Sequence, residues 1–220
     1  MILHALHVYD DREPQSAALN MAVDEALLAD AAAPILRFYR WRQPSLSFGY
    51  FGLYAEVADQ SNEREIVRRW TGGGIVPHGD DLTYSVIIPA SHPFFARVSP
   101  EIYAALHNAI REALDANGVQ ASLANSAAPK VSEACFANAV RADVMSGGQK
   151  IAGAAHRRSR SGLLHQGSIQ QRDLAGRFRT DLARALCDRY ETRTLAPELM
   201  ERAAAIAAKK YGTADWLMRR

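Results

Sequence analysis

The sequence predicts a mixed α+β (α/β) fold, a largely antiparallel sheet flanked by helices. Apolar residues recur at three- and four-residue spacing around 17–32, 100–117 and 197–211, the mark of helices with one buried face. Short apolar or alternating runs lie between them in groups. That favours a mixed sheet over a doubly wound one with a helix after every strand. Hydrophobic residues make up 48% of 220, enough for a substantial core, and we expect one domain spanning 1–220 with no separate accessory domain.

Met1 to Tyr9 alternates loosely and reads as a first strand. Ser16 is placed as N-cap of a helix from Ala17 to Ala32, whose buried face is Leu19, Val23, Ala26 and Leu27. Asp24 and Glu25 fall mid-helix, where a solvated face is the default; Asp24 could alternatively reach the glycine loop described below. Pro34 ends the helix. Strands are expected over Ile35–Arg40, Ser45–Tyr50 and Glu65–Arg69, with a polar helical stretch from Ala55 to Arg64. Leu82–Pro89 reads as a strand and 90–100 as a loop. A second helix spans Pro100 to Asn117, with proline in its first turn and Gly118 as its stop. Val119–Ala124 reads as a strand and Asn125–Glu133 as a loop. Two further strands follow, one carrying Lys150 and one over Leu163–Ile169. Leu174–Tyr190 and Pro197–Tyr211 read as helices, with Trp216 and Leu217 docking the tail.

The formal net charge is +2, so bulk charge does not argue for nucleic acid, while a modestly basic surface suits an acidic protein partner. No apolar run approaches the ~20 residues a membrane helix needs. MILHALHVYDDREP lacks a basic start followed by a sustained apolar core, so a cytoplasmic location is expected. Cys135 and Cys187 do not form a close-spaced metal pattern, and no metal ligands are evident. In a reducing compartment a structural disulfide is not expected. Each cysteine is then a small buried hydrophobe or a reactive thiol, and Cys187, in a helical run, reads as packing.

Two clusters carry the chemistry. In Arg68-Arg69-Trp70-Thr71-Gly72-Gly73-Gly74-Ile75-Val76-Pro77-His78, consecutive glycines let another group approach the backbone. They can turn N–H groups toward an anion or carbonyl oxygen, and the arginines add fixed charge. The structural alternative is a hairpin turn with two solvated arginines. The second cluster, Gly147-Gly148-Gln149-Lys150-Ile151-Ala152-Gly153-Ala154-Ala155, is followed by Leu164-His165-Gln166-Gly167-Ser168. A lysine among small and apolar residues can be drawn out of bulk water to face a developing oxyanion; the alternative is a strand-edge lysine in solvent. Together the clusters point to a pocket for a carbonyl or acyl-phosphate group.

Both clusters, in this order, resemble the signature motifs of the biotin/lipoate protein ligase superfamily. Ser16–Leu28, Leu36–Gly52 and Lys210-Tyr211-Gly212 with Trp216 resemble its N-terminal and C-terminal regions, so the resemblance covers nearly the whole chain. It implies a class II synthetase-like catalytic domain that attaches octanoyl or lipoyl groups to one lysine of a lipoyl carrier domain, such as a glycine cleavage H protein or an E2 subunit. Ala134-Cys135-Phe136, 15 residues before Lys150, is similar to the nucleophile segment of the octanoyltransferase branch. That branch takes octanoyl from acyl carrier protein through a cysteine thioester and needs no cofactor.

The resemblance therefore implies Cys135 as nucleophile and Lys150 as the oxyanion-holding cation. It implies an acyl site at Arg69, Thr71, Gly72, Gly73, Gly74, His78, Gly153, Ala154, His165 and Gly167. Arg141 and Asp143 read as closing over the ligand. Two alternatives stay open: a lipoate–protein ligase using ATP and Mg²⁺ through lipoyl-AMP, and a non-catalytic acyl or adenylate binder. Biotin attachment is disfavoured. No nucleic acid or membrane partner is implied.

Overall fold

The structure, a computed structural model, describes residues 2–127, 138–170, 174 and 176–219. β1 (Leu6–Asp10) leads to α1 (Ala17–Asp30), β2 (Ile35–Tyr39) and β3 (Ser45–Phe48); β4 (Glu65–Arg68), β5 (Val76–His78) and β6 (Leu82–Pro89) follow. Next come α2 (Ser99–Ala116), β7 (Ser122–Leu123), β8 (Val144–Ser146), β9 (Gln149–Arg158) and β10 (Gly162–Ile169). The chain continues through α3 (Phe178–Leu186), β11 (Tyr190–Arg193), α4 (Pro197–Ile206), one π-helical turn (Ala207–Tyr211) and α5 (Ala214–Met218).

The main sheet has the order β11-β1-β2-β6-β10-β9-β8-β7. β1 pairs in parallel with both β11 and β2, and the other neighbours are antiparallel. The small sheet β4-β3-β5 is mixed too. The mixed, largely antiparallel α+β class read from the sequence is the observed one.

Strand alternation sends side chains to two cores. Leu36, Phe38, Tyr84, Val86 and Ile88 pack with α2 and α3 on one face; Ile35, Tyr39, Ile87 and Leu164 pack with α1 and α4 on the other. Ser16 caps α1 as expected, its hydroxyl accepting from the Leu19 N–H at 3.3 Å. α1 is buried around much of its circumference, because α4 and the π-helical turn cover its outer side.

Three expectations differ from the structure. In place of the helix expected over 55–64 there are two 3₁₀ turns, Tyr54–Glu56 and Ala58–Asn62, which satisfy a polar stretch without an apolar stripe. Val76–His78 is a strand; at three residues with Pro77 inside it shows no period, and proline is tolerated because β5 is an edge. The helix expected over Leu174–Tyr190 is α3, ending at Leu186, and Tyr190–Arg193 instead pairs with the β1 edge. That pairing is long-range and leaves no local pattern. Cys187 is buried as expected for packing.

Candidate active site

A row of polar side chains crosses the sheet beneath α1. Arg37 on β2 is paired with Ser85 on β6, and Ser85 with Gln166 on β10. Asp24, about two turns into α1, is fully buried above them and accepts from Arg37 Nη1, Ser85 Oγ and Gln166 Nε2, each at 2.8 Å. A buried carboxylate without such donors would cost several kcal/mol. The solvated-face expectation for Asp24 is thus overturned. Glu25 is also engaged, accepting from Lys210 Nζ and the Tyr211 hydroxyl at 2.6 Å.

This row grips the glycine loop from below. Thr71 Oγ1 donates to Gln166 Oε1 at 2.8 Å, so Asp24 reaches the loop through Gln166. From the side, Arg69 is buried and donates to the carbonyls of Gly72 (3.0 Å) and Gly74 (2.8 Å) and to Ser47 Oγ (2.6 Å). Ser47 Oγ lies 2.7 Å from His78 Nε2, and His78 Nδ1 lies 2.8 Å from Asp81 Oδ2. The Asp81 carboxylate accepts from His78 Nδ1 and so orients the ring with Nε2 facing the Ser47 hydroxyl. Burial pushes the Asp81 carboxyl up, but the His78 pair and the Ser168 and Thr83 hydroxyls outweigh it and hold it low. His78 also stacks on Trp41 at 4.2 Å.

Glycine is required at two points of this loop. Gly73 adopts φ +86°. A Cβ on Gly49 would lie 2.0 Å from the Gly73 carbonyl oxygen. Arg68, expected to add charge beside the loop, turns away: its guanidinium donates to the carbonyls of Trp216, Leu217 and Arg219 and to Tyr50 and Gly52. Its role is to hold the tail.

The loop walls a cavity with about 380 Å³ of empty space, mouth included, whose lining is mainly apolar. Arg69, Gly73 and His78 from the first cluster meet Gly153, Ala154 and Gly167 from the second. Trp41, Met21 and Tyr39 complete the apolar wall. Gly72 and Gly74 shape the loop through their carbonyls, and Thr71 anchors it.

Lys150 packs against Gly153, one of the residues lining this cavity. Its side chain is 3% exposed and its ammonium is 2.8 Å from Asp143 Oδ2. A Cβ on Gly153 would fall 2.3 Å from Lys150 Cε and 2.6 Å from Nζ, so Gly153 makes the room that the lysine occupies. The solvent-facing alternative for Lys150 does not hold. Asp143 also accepts from the Tyr103 hydroxyl (2.5 Å) and the Val140 N–H (2.7 Å). Burial and then the Asp143 charge push the Tyr103 phenol up, so it stays a donor.

Two expected residues lie elsewhere. His165 points to the opposite face, 3.3 Å from the Tyr84 hydroxyl and near His107 and His156; its neighbour Gln166 takes the cavity side. Arg141 is exposed at a second cavity. Cys135 lies outside the described residues. Missed by sequence reading were Ser47, Asp81, Tyr103 and Gln166; for Gln166 the two-residue period of the strand was the available signal. Among the described residues no three His, Cys, Asp or Glu side chains are placed to hold a metal ion.

The profile of the lipoyl protein ligase A/B catalytic domain matches residues 16–185. The chain belongs to that family. An octanoyltransferase LipM of Oceanobacillus iheyensis is 38% identical over 168 residues, covering 72% of this chain and 62% of the relative. That of Staphylococcus aureus is 35% identical over 168 residues, covering 69% and 61%. The chain thus spans about three-fifths of these relatives' length. In fold, this lipoyl ligase family member is similar to protein Ta0514 of T. acidophilum (TM-score 0.77, 23% identity, 99% of each chain). It is similar also to a lipoate-protein ligase A bound with ATP (TM-score 0.76, 22% identity, 99% of each chain).

Proposed function

We propose that this protein is an octanoyltransferase that moves an octanoyl group from an acyl carrier protein to a lysine of a lipoyl carrier domain, through a thioester on Cys135. The observation that carries this reading is the buried Lys150 ammonium, paired with Asp143 and packed against Gly153, which lines a mainly apolar cavity. A cation fixed out of water beside a space for an aliphatic chain suits a carbonyl that becomes an oxyanion. The relatives named octanoyltransferase LipM support the choice of acyl group.

In the first step the Cys135 thiolate attacks the acyl carbonyl; the new C–S bond replaces the carrier's, and the carrier leaves as a thiolate that takes up the proton the Cys135 thiol gave up. Thiolates are strong nucleophiles even as a minor species. In the second step the carrier-domain lysine attacks as a neutral amine. An amide C–N bond forms, the Cys135 C–S bond breaks, and the amine's proton goes to the departing sulfur. Lys150 faces the oxyanion in both steps. Arg69, Ser47 and His78 keep the glycine loop at the spacing the acyl chain needs. The thioester is already activated, so the transfer requires no ATP.

The test is transfer to a purified lipoyl domain, with octanoyl-acyl carrier protein alone or with free lipoate, ATP and Mg²⁺. ATP-independent octanoylation is expected. Modification only with lipoate and ATP would replace this reading with a ligase, and binding without transfer would leave a non-catalytic acyl binder.

A further inference from the structure

A second cavity opens at Tyr103, whose hydroxyl reaches Ala154 of the first cavity's lining. It holds about 830 Å³ of empty space, mouth included, between the start of α2 and residues 140–142. Tyr103 is the partition. It lines this second cavity, while its hydroxyl meets Asp143 and both the N–H and the carbonyl of Ala154, at 3.2 Å each. Ala154 lines the acyl cavity on the other side. The two spaces are separated by about one side chain beside the Lys150–Asp143 pair.

The lining has a polarity gradient. Inside it is small and apolar, with Ala104 and Ala142, and His156 beside them keeps a buried Nδ1 with no hydrogen-bond partner among the described residues. At the mouth stand Arg141 and one acidic residue, Glu101. Arg97 lies two residues before the lining residue Ser99 in the chain, and Arg158 donates to the carbonyls of Phe95 and Arg97. Val140 of the lining is 47% exposed, and Val98, next to Ser99 in the chain, 60%. A slender ligand with amides along its length and an anion at its outer end fits this order. Basic residues around exposed valines suit a protein with an acidic docking face.

We propose that the second cavity receives the 4′-phosphopantetheine arm of an acidic acyl carrier protein. The arm's phosphate meets Arg141 at the mouth, an amide meets His156, and the thioester comes to the junction beside Lys150. The inference rests on the octanoyltransferase reading for its donor, but the binding can be measured without turnover.

The direct experiment titrates 4′-phosphopantetheine into wild type, Arg141→Glu and Ala104→Trp, following protein NMR shifts. Arg141 is exposed, so its variant leaves the core untouched. The arm should perturb wild type and bind at least about tenfold more weakly to both variants. In turnover, Arg141→Glu should raise KM for octanoyl-carrier protein about tenfold more than for the octanoyl N-acetylcysteamine thioester, which lacks the phosphate. No shifts in wild type, or equal binding by all three proteins, would overturn the assignment. Intact arm binding without any octanoyl transfer would count against the octanoyltransferase reading and not against the cavity.

Discussion

Replacing Lys150 with methionine separates what the lysine does for the fold from what it does for the reaction. Lys150→Met keeps an unbranched side chain over Gly153 and removes the ammonium. Asp143 then loses a 2.8 Å partner but keeps the Tyr103 hydroxyl and the Val140 N–H. Breaking a buried ion pair costs about 3–5 kcal/mol, and the two remaining donors put this variant near 3 kcal/mol. Adding Asp143→Asn removes the stranded charge and should return about 2 kcal/mol of that loss. The chemistry should not return. A lost oxyanion donor raises the barrier by about 3–4 kcal/mol, or roughly two to three orders of magnitude in rate. Urea unfolding and octanoyl transfer rates, measured on wild type, single and double variants, check both parts. A double variant that regains the rate would show that Lys150 acts only through the fold. A single variant as stable as wild type would show that the pair contributes nothing to it.

Gly49→Ala should disturb the glycine loop from outside the lining of the cavity it walls. Its Cβ would lie 2.0 Å from the Gly73 carbonyl oxygen and within 3 Å of Gly72, so backbone must move, at about 3 kcal/mol. Thermal unfolding should shift down and transfer should slow at least about tenfold; unchanged behaviour in both would contradict the close approach. A second outcome concerns acid. Burial lowers His107 from 6.5 to about 4 against the opposing pull of Asp143, and burial with the neighbouring His107 and His156 holds His165 well below its ordinary value. Both are neutral when folded and take up a proton when unfolded, so stability falls as pH drops below 6.5. At about 1.4 kcal/mol per pH unit per group, moving to pH 5 should cost about 2 kcal/mol for each. Urea midpoints at pH 7 and pH 5 test this, with His107→Gln expected to halve the difference. Equal midpoints in wild type would refute the neutral pair.

The parts of the site that were legible in the sequence are those whose chemistry is local. Gly73 and Lys150 stand out because glycine runs and a lysine among small residues are readable without knowing their neighbours. The supports were not legible. Asp24 looks like any mid-helix acid until Arg37, Ser85 and Gln166 are aligned across three strands, and strand register is a long-range property. Ser47 and Asp81 are ordinary polar residues until His78 falls between them. His165 and Gln166 show the limit of a motif read without its period: adjacent strand residues face opposite sides, and only one can line the cavity. β11 escaped for a similar reason, since its pairing partner is at the other end of the chain.

Intact-protein mass after mixing with octanoyl-acyl carrier protein, without ATP, tests the proposed thioester most directly. Wild type should gain one octanoyl group, released by hydroxylamine, and Cys135→Ser should gain no hydroxylamine-labile group. Octanoyl transfer to a lipoyl domain by Cys135→Ser at the wild-type rate, or the absence of any adduct on a wild type that still transfers, would contradict it.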